Sequence, residues 1–279
     1  MLATLFLVPS LLQPSRRAVL LAPPVALFSA ANPSVAASPP VGYDELFSRL
    51  DTSALKSPTF TPSGSAIPLL PNWLDGQWDA TQTLTRFTTP LGVQFIGAPG
   101  RPLSEAEASA QQTRKELGKP VKLQLRWVGQ PSGGVVEDRA FNAKSRFDAF
   151  AGRDVVKEAA QCDVDPGQMA CTLVDFKGPV QQKLLVNALR VGQNGDSLVV
   201  SELVRGIFAR KLIPGDTRSF PPITTDSETI IELTRVNDST IKGRLRLASY
   251  LQPYDPLYFE ANKRAVSLSD YSLELRKSV

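Results

Sequence analysis

Cys162 and Cys171 are the two cysteines of this 279-residue sequence, which contains no histidine. Without histidine there is no Ser-His-Asp or Cys-His couple, no imidazole ligand for a metal or haem, and no imidazole proton shuttle. Two cysteines cannot alone hold a structural zinc or an iron–sulfur cluster. Asp163, Asp165 and Asp175 lie nearby, but the first two belong to a turn-forming run where Asp is expected, so they do not read as a metal site. No spacing identifies a paired general acid and base. The sequence is therefore read without catalytic residues, cofactor or metal.

The cysteines point instead to a crosslink. A turn at Pro166-Gly167 sets Asp165 opposite Gln168, and counting outward sets Cys162 opposite Cys171. This register makes them a non-hydrogen-bonded cross-strand pair with Cα atoms about 4.5 Å apart, within disulfide reach. Two half-buried free thiols are the alternative. No basic neighbour is evident to lower a thiol pKa for a redox role.

The elements that hold these residues are strands. Val121 to Val128, Ile230 to Val236 and Ile241 to Leu247 alternate apolar and polar residues, the period of half-buried antiparallel strands. Candidate strands cover 76–86, 92–96, 121–129, 134–141, 154–163, 169–176, 182–191, 197–209, 227–236, 239–250 and 264–276, many of them separated by turn residues. Three short helices interrupt the pattern. Tyr43 to Leu50 is expected to form one on an extended arm, because Leu46, Phe47 and Leu50 recur at helical spacing. Ser104 to Glu107 has capping-box spacing, with Gly118 as the stop. Asn142 to Ala151, ending at Gly152, carries Phe147 and Phe150 three apart. The last two read as surface decoration.

The N-terminal segment reads as an address. Residues 1–43 hold two charges, Arg16 and Arg17, followed by the apolar run Ala18 to Phe28 and the small residues Ser34 to Ser38. A charged start, an apolar middle and a small-residue cleavage site make an export signal. Ser15 to Leu20 resembles a twin-arginine signal, and the earlier apolar stretch Leu2 to Leu12 makes the whole resemble the multipart targeting of a thylakoid lumen protein. A bacterial export signal is the alternative. The apolar run is too short, and too broken by Pro23-Pro24, for a membrane span. The chain thus divides into a cleaved segment at 1–37, a Pro/Ser/Thr-rich arm at 38–71 and a β-domain at 72–279. Cleavage removes two positive charges and no acid, so the formal charge falls from +4 to +2. A nearly neutral surface carries no nucleic-acid footprint.

Gly76-Gln-Trp78 opens the first strand of the β-domain and Arg276 closes the last. A Gly-x-Trp entry with a terminal Arg resembles the lipocalin and wider calycin barrels. That resemblance implies an antiparallel β-barrel of about eight to ten strands, with Trp78 plugging one end, Arg276 packed over its indole and Gly76 allowing the bend. Pro71 to Trp78, Pro90-Leu-Gly92, Asp138 to Asn142 and Gln252 to Phe259 resemble an uncharacterised family of cyanobacterial and plastid proteins, a domain of unknown function. This second resemblance implies a photosynthetic context and no activity.

Three further groups invite functional readings. Lys242, Arg244 and Arg246 line one strand face, where hairpin counting sets Glu232 opposite Arg244 and Thr234 opposite Lys242. They read as a partly paired solvent face rather than an anion site. Asp138-Arg139 reads as an ion pair orienting a loop, with a polar ligand contact as the alternative. Ser249 to Lys263 carries Tyr250, Tyr254, Tyr258 and Phe259 among prolines, so it caps a barrel mouth, docks a partner or covers a core edge. Three functions follow in order: a non-catalytic lumenal protein binding a small apolar ligand such as a lipid or pigment, an accessory protein docking on a photosynthetic membrane complex, and an enzyme of unknown reaction. The first requires a connected apolar pocket of roughly 300 Å³ or more.

Overall fold

The computed structural model describes residues 42–58, 67–97, 100–211 and 221–278. The targeting segment at 1–37 lies outside the described residues, as do parts of the arm at 38–71. In chain order the regular elements are α1 (Tyr43–Ser48), β1 (Gly76–Thr88), α2 (Leu103–Arg114), β2 (Pro120–Gly129), β3 (Val135–Glu137), α3 (Arg139–Ala151), β4 (Val156–Gln161), β5 (Ala170–Phe176), β6 (Val180–Asn194), β7 (Ser197–Arg210), β8 (Ile223–Asn237), β9 (Thr240–Tyr250), α4 (Tyr258–Ala261) and β10 (Ser267–Lys277).

The ten strands form one antiparallel sheet in the order β3-β2-β1-β10-β9-β8-β7-β6-β5-β4, curled into a half-barrel. Side-chain alternation decides which face is concave. Trp78, Ala80 and Leu84 of β1, Leu245 and Leu247 of β9, and Tyr271, Leu273 and Leu275 of β10 all turn inward and pack as one buried cluster. The intervening residues face outward, where Leu46, Leu50 and Leu55 of the arm cover Val199, Leu203, Ile230 and Ala248. The sheet thus has an inner core and a second core under the arm. The short helix read at Tyr43 to Leu50 forms over Tyr43–Ser48, and it is docked on the sheet.

Two of the expected strands take other forms. Residues 92–96 make a single 3-10 turn at Val93–Phe95, entered through Gly92 at φ 101°, because the apolar run is too short to pair. Residues 134–141 give only the three-residue β3. The chain then turns helical at Arg139, because the Asp138 carboxylate accepts the Phe141 N–H and caps α3. Gly134, at φ 74°, lets β3 begin where Leu70 and Val135 exchange two backbone hydrogen bonds, and a Cβ there would meet the Leu70 carbonyl at 2.9 Å. The expected capping box does not form: α2 starts at Leu103, with Pro102 at its N-cap and no side-chain cap.

The ladder does not close on itself, since β3 and β4 are its two edges. The helix α3, expected as surface decoration, spans the gap between them. On one side, Ser145 Oγ and Asn142 Oδ1 accept the Gln124 and Arg126 N–H groups of β2, and Asn142 Nδ2 donates to the Arg126 carbonyl. On the other, Asp148 Oδ1 accepts the Val155 and Val156 N–H groups, and Lys144 donates to the Val156 carbonyl. Helix side chains thus satisfy the backbone groups that an eleventh strand would have paired.

Candidate binding site

Between α3 and the concave faces of β5 to β8 lies a cavity of about 110 Å³. Its walls are mostly apolar, with Leu184, Val186, Val200, Val204 and Ile231 from the strands and Ala143 from α3. One corner is ionic. Arg139, in the first turn of α3, donates from both terminal nitrogens to Glu202 of β7 at 2.8 and 3.1 Å. Glu137 lies 3.6 Å from Arg139 Nη1 and accepts a hydrogen bond from Asn142 Nδ2 at 3.0 Å.

The electrostatics of this corner follow from burial opposed by pairing. Burial works to raise the Glu137 pKa, but Arg139 and Arg146 outweigh it and hold the carboxyl below its ordinary range. Burial also works against the charge of Arg139, but Glu202 and Glu137 overcome it and hold its pKa above the ordinary arginine range. Arg146 turns toward the same corner, and its buried Nε makes no hydrogen bond. Thr172, Ser227 and Thr229 also line the cavity. None of them is hydrogen-bonded to a carboxylate among the described residues. The arrangement is an apolar chamber with one ion-paired, donor-rich corner.

The sequence drew attention to Asp138-Arg139, but as a pair. The structure parts them. Asp138 binds Arg126 and caps α3, whereas Arg139 turns inward to Glu202. Glu202 belongs to no motif in the sequence. Its signal was an acid among the inward positions Leu198, Val200 and Val204, where alternation called for another apolar residue.

Trp78 and Arg276, expected as partners in a plug, lie apart. Trp78 is 1% exposed and its indole N–H donates to the Leu74 carbonyl at 2.8 Å. Gly76 sits at φ 100°, a bend that glycine takes without strain. Arg276, however, does not cover the indole. It pairs across the ladder with Asp79, points outward, binds Glu274 and is 77% exposed. Lys277 takes the expected place, with Nζ 5.4 Å from the Trp78 ring.

Cys162 and Cys171 are joined by a disulfide across 5.1 Å between Cα atoms, in the register that turn counting gives. The Cys162 N–H donates to the Cys171 carbonyl at 3.1 Å, so the pair carries a ladder hydrogen bond that the expected non-hydrogen-bonded site lacks. Among the described residues no group of three acids or cysteines is placed to hold a metal ion.

The aromatic segment is split. Tyr250 is buried on the outer face and donates to Glu228 Oε2 at 2.8 Å, whereas Tyr254 and Phe259 are exposed and Tyr258 is half-buried. The basic ladder is also split. Glu232 does face Arg244 and binds it, as hairpin counting gives. Arg246 is not on a solvent face: it is buried under the arm, bound to Asp270 and to the Arg49 and Thr52 carbonyls.

Residues 64–279 match the family model of a domain of unknown function, DUF6816. The chain belongs to this family. No curated protein and no solved structure matches the chain. The match takes in every strand, α3 and the cavity, and it leaves out α1 and the described part of the arm that covers the outer face.

Proposed function

We propose that this DUF6816 chain is a non-catalytic binding protein that holds one small, mostly apolar molecule between α3 and β5 to β8. The cavity beside the Arg139–Glu202 pair carries this reading. At about 110 Å³ it is below the roughly 300 Å³ of common ligand pockets. It is nearer an engineered apolar cavity of about 150 Å³ that takes benzene. The ligand is therefore a small ring or a chain end, and a whole lipid or pigment enters only if α3 moves outward. The ionic corner favours one polar group on that ligand, near the unfilled Arg146 Nε.

The proposal includes the thylakoid lumen as the compartment, supported by the twin-arginine-like start and by a disulfide that an oxidising compartment maintains. Native mass spectrometry of the protein from its own source tests the binding reading. A bound small molecule is expected, and Ala143→Phe, which fills the chamber, should release it. A protein free of any adduct, or an adduct retained by Ala143→Phe, overturns the proposal.

A further inference from the structure

Phe259 is 86% exposed, the most exposed large apolar side chain among the described residues. It stands on α4, a single turn anchored beneath by Ala261, which packs with Phe95 and Val266. Tyr258 meets its ring edge-on at 5.5 Å, and Tyr254 is exposed four residues earlier in the chain than Tyr258. This aromatic knob is therefore anchored to the buried cluster beneath α4.

The chain leaves α4 through Asn262 and Lys263 at φ 49° and 59°, the two non-glycine residues with positive φ among those described. A lysine in the left-handed region is uncommon, and such backbone clusters at functional places. The turn brings the segment back antiparallel to the arm, where Ser57 N–H donates to the Lys263 carbonyl at 2.8 Å and Lys56 bridges Arg264. The bridge sets Lys56 beside Arg264, and Lys263 and Arg264 follow Phe259 by four and five residues in the chain, with the Arg264 Nε donating to the Ala261 carbonyl at 3.2 Å. None of the three is ion-paired among the described residues. Glu260 is the exposed acid next to them, while Asp255 is buried and accepts the Leu257 N–H.

We propose that this knob is a docking surface for an anionic lipid bilayer. An exposed aromatic knob followed by cations that have no ion-pair partner among the described residues fits the headgroup boundary. The ring enters toward the acyl chains, the lysine stems lie along it, and the charges remain with the phosphates. A protein partner would call for a broad apolar patch with a polar rim, whereas here a small aromatic knob is followed directly in the chain by Lys263 and Arg264. This inference stands on α4, the turn after it and the arm's Lys56, and does not depend on the cavity.

Flotation with vesicles tests it, using protein and variants expressed in and purified from their own source so that any leader is processed as in the cell. Partition onto 7:3 phosphatidylcholine:phosphatidylglycerol vesicles is expected to exceed partition onto phosphatidylcholine alone by at least about tenfold, and to fall with added salt. Phe259→Ala should lower it about tenfold, and Lys263→Gln about fivefold, as one cation near an anionic surface contributes. Val236→Ala, an exposed apolar site near the end of β8, should leave it unchanged. Phe259→Ala removes one edge contact with Tyr258 and nothing from the buried cluster beneath α4, so its circular dichroism should match the parent. Equal partition on both vesicles, no partition, or undiminished partition of Phe259→Ala overturns the proposal, the second pointing to a protein partner and the third to a bilayer contact elsewhere on the molecule.

Discussion

At the scale of single residues, Trp78 anchors the inner core and Lys277 covers its ring. Trp78→Ala is expected to cost about 3–5 kcal/mol in urea denaturation, the usual range for a buried aromatic, whereas Arg276→Ala should stay within about 0.5 kcal/mol. A loss below about 1 kcal/mol for Trp78→Ala would remove its anchoring role. The difference between Arg276 and Lys277 was open to parity. Tyr271, Leu273 and Leu275 turn inward, so position 276 must turn out and 277 in. The Gly-x-Trp resemblance specifies a residue type, whereas the strand period specifies the face, and the face decides which cation meets the indole. The disulfide was legible because a tight turn and its flanking register are local, needing no knowledge of the rest of the chain.

At the scale of elements, α3 joins sequence-near and sequence-distant groups. Phe147, Phe150 and Gly152 made a helix legible, and Gly152 does end it at φ 64°. Its purpose was not legible, because the backbone groups it satisfies belong to strands on both sides of it. Asp148 accepts two of them, so Asp148→Ala should cost about 2 kcal/mol by leaving buried donors unsatisfied. Hydrogen exchange at the Val155 and Val156 amides should quicken in that variant while β9 and β10 keep their protection. Uniform quickening across the sheet would mean that α3 has no separate role at the edge.

At the scale of the whole molecule, the arm decides which outward residues are buried. Glu228 is completely buried and is held by Arg49 at 2.5 Å, Ser201 at 2.6 Å and Tyr250 at 2.8 Å. Arg49→Met leaves that carboxylate without its cation and should cost about 3–5 kcal/mol, with much of the loss recovered by Arg49→Met/Glu228→Gln. A single-variant loss below about 1 kcal/mol, by chemical denaturation, would show that the arm is held by its leucines alone. Alternation along the strands made the sheet and its pairings legible. The burial of Arg246 and Glu228 was not, because their cover comes from residues nearly 200 positions earlier. The seam at α3 bears on association as well. Peeled from its own sheet, the helix would leave β2 and β4 with open backbone groups, and the α3 of a second copy carries the same Asn142, Ser145 and Asp148 to seal them. An exchange of that kind is reciprocal between two copies and propagates when it is not, so the device that finishes the fold also marks where domain-swapped dimers or chains would begin.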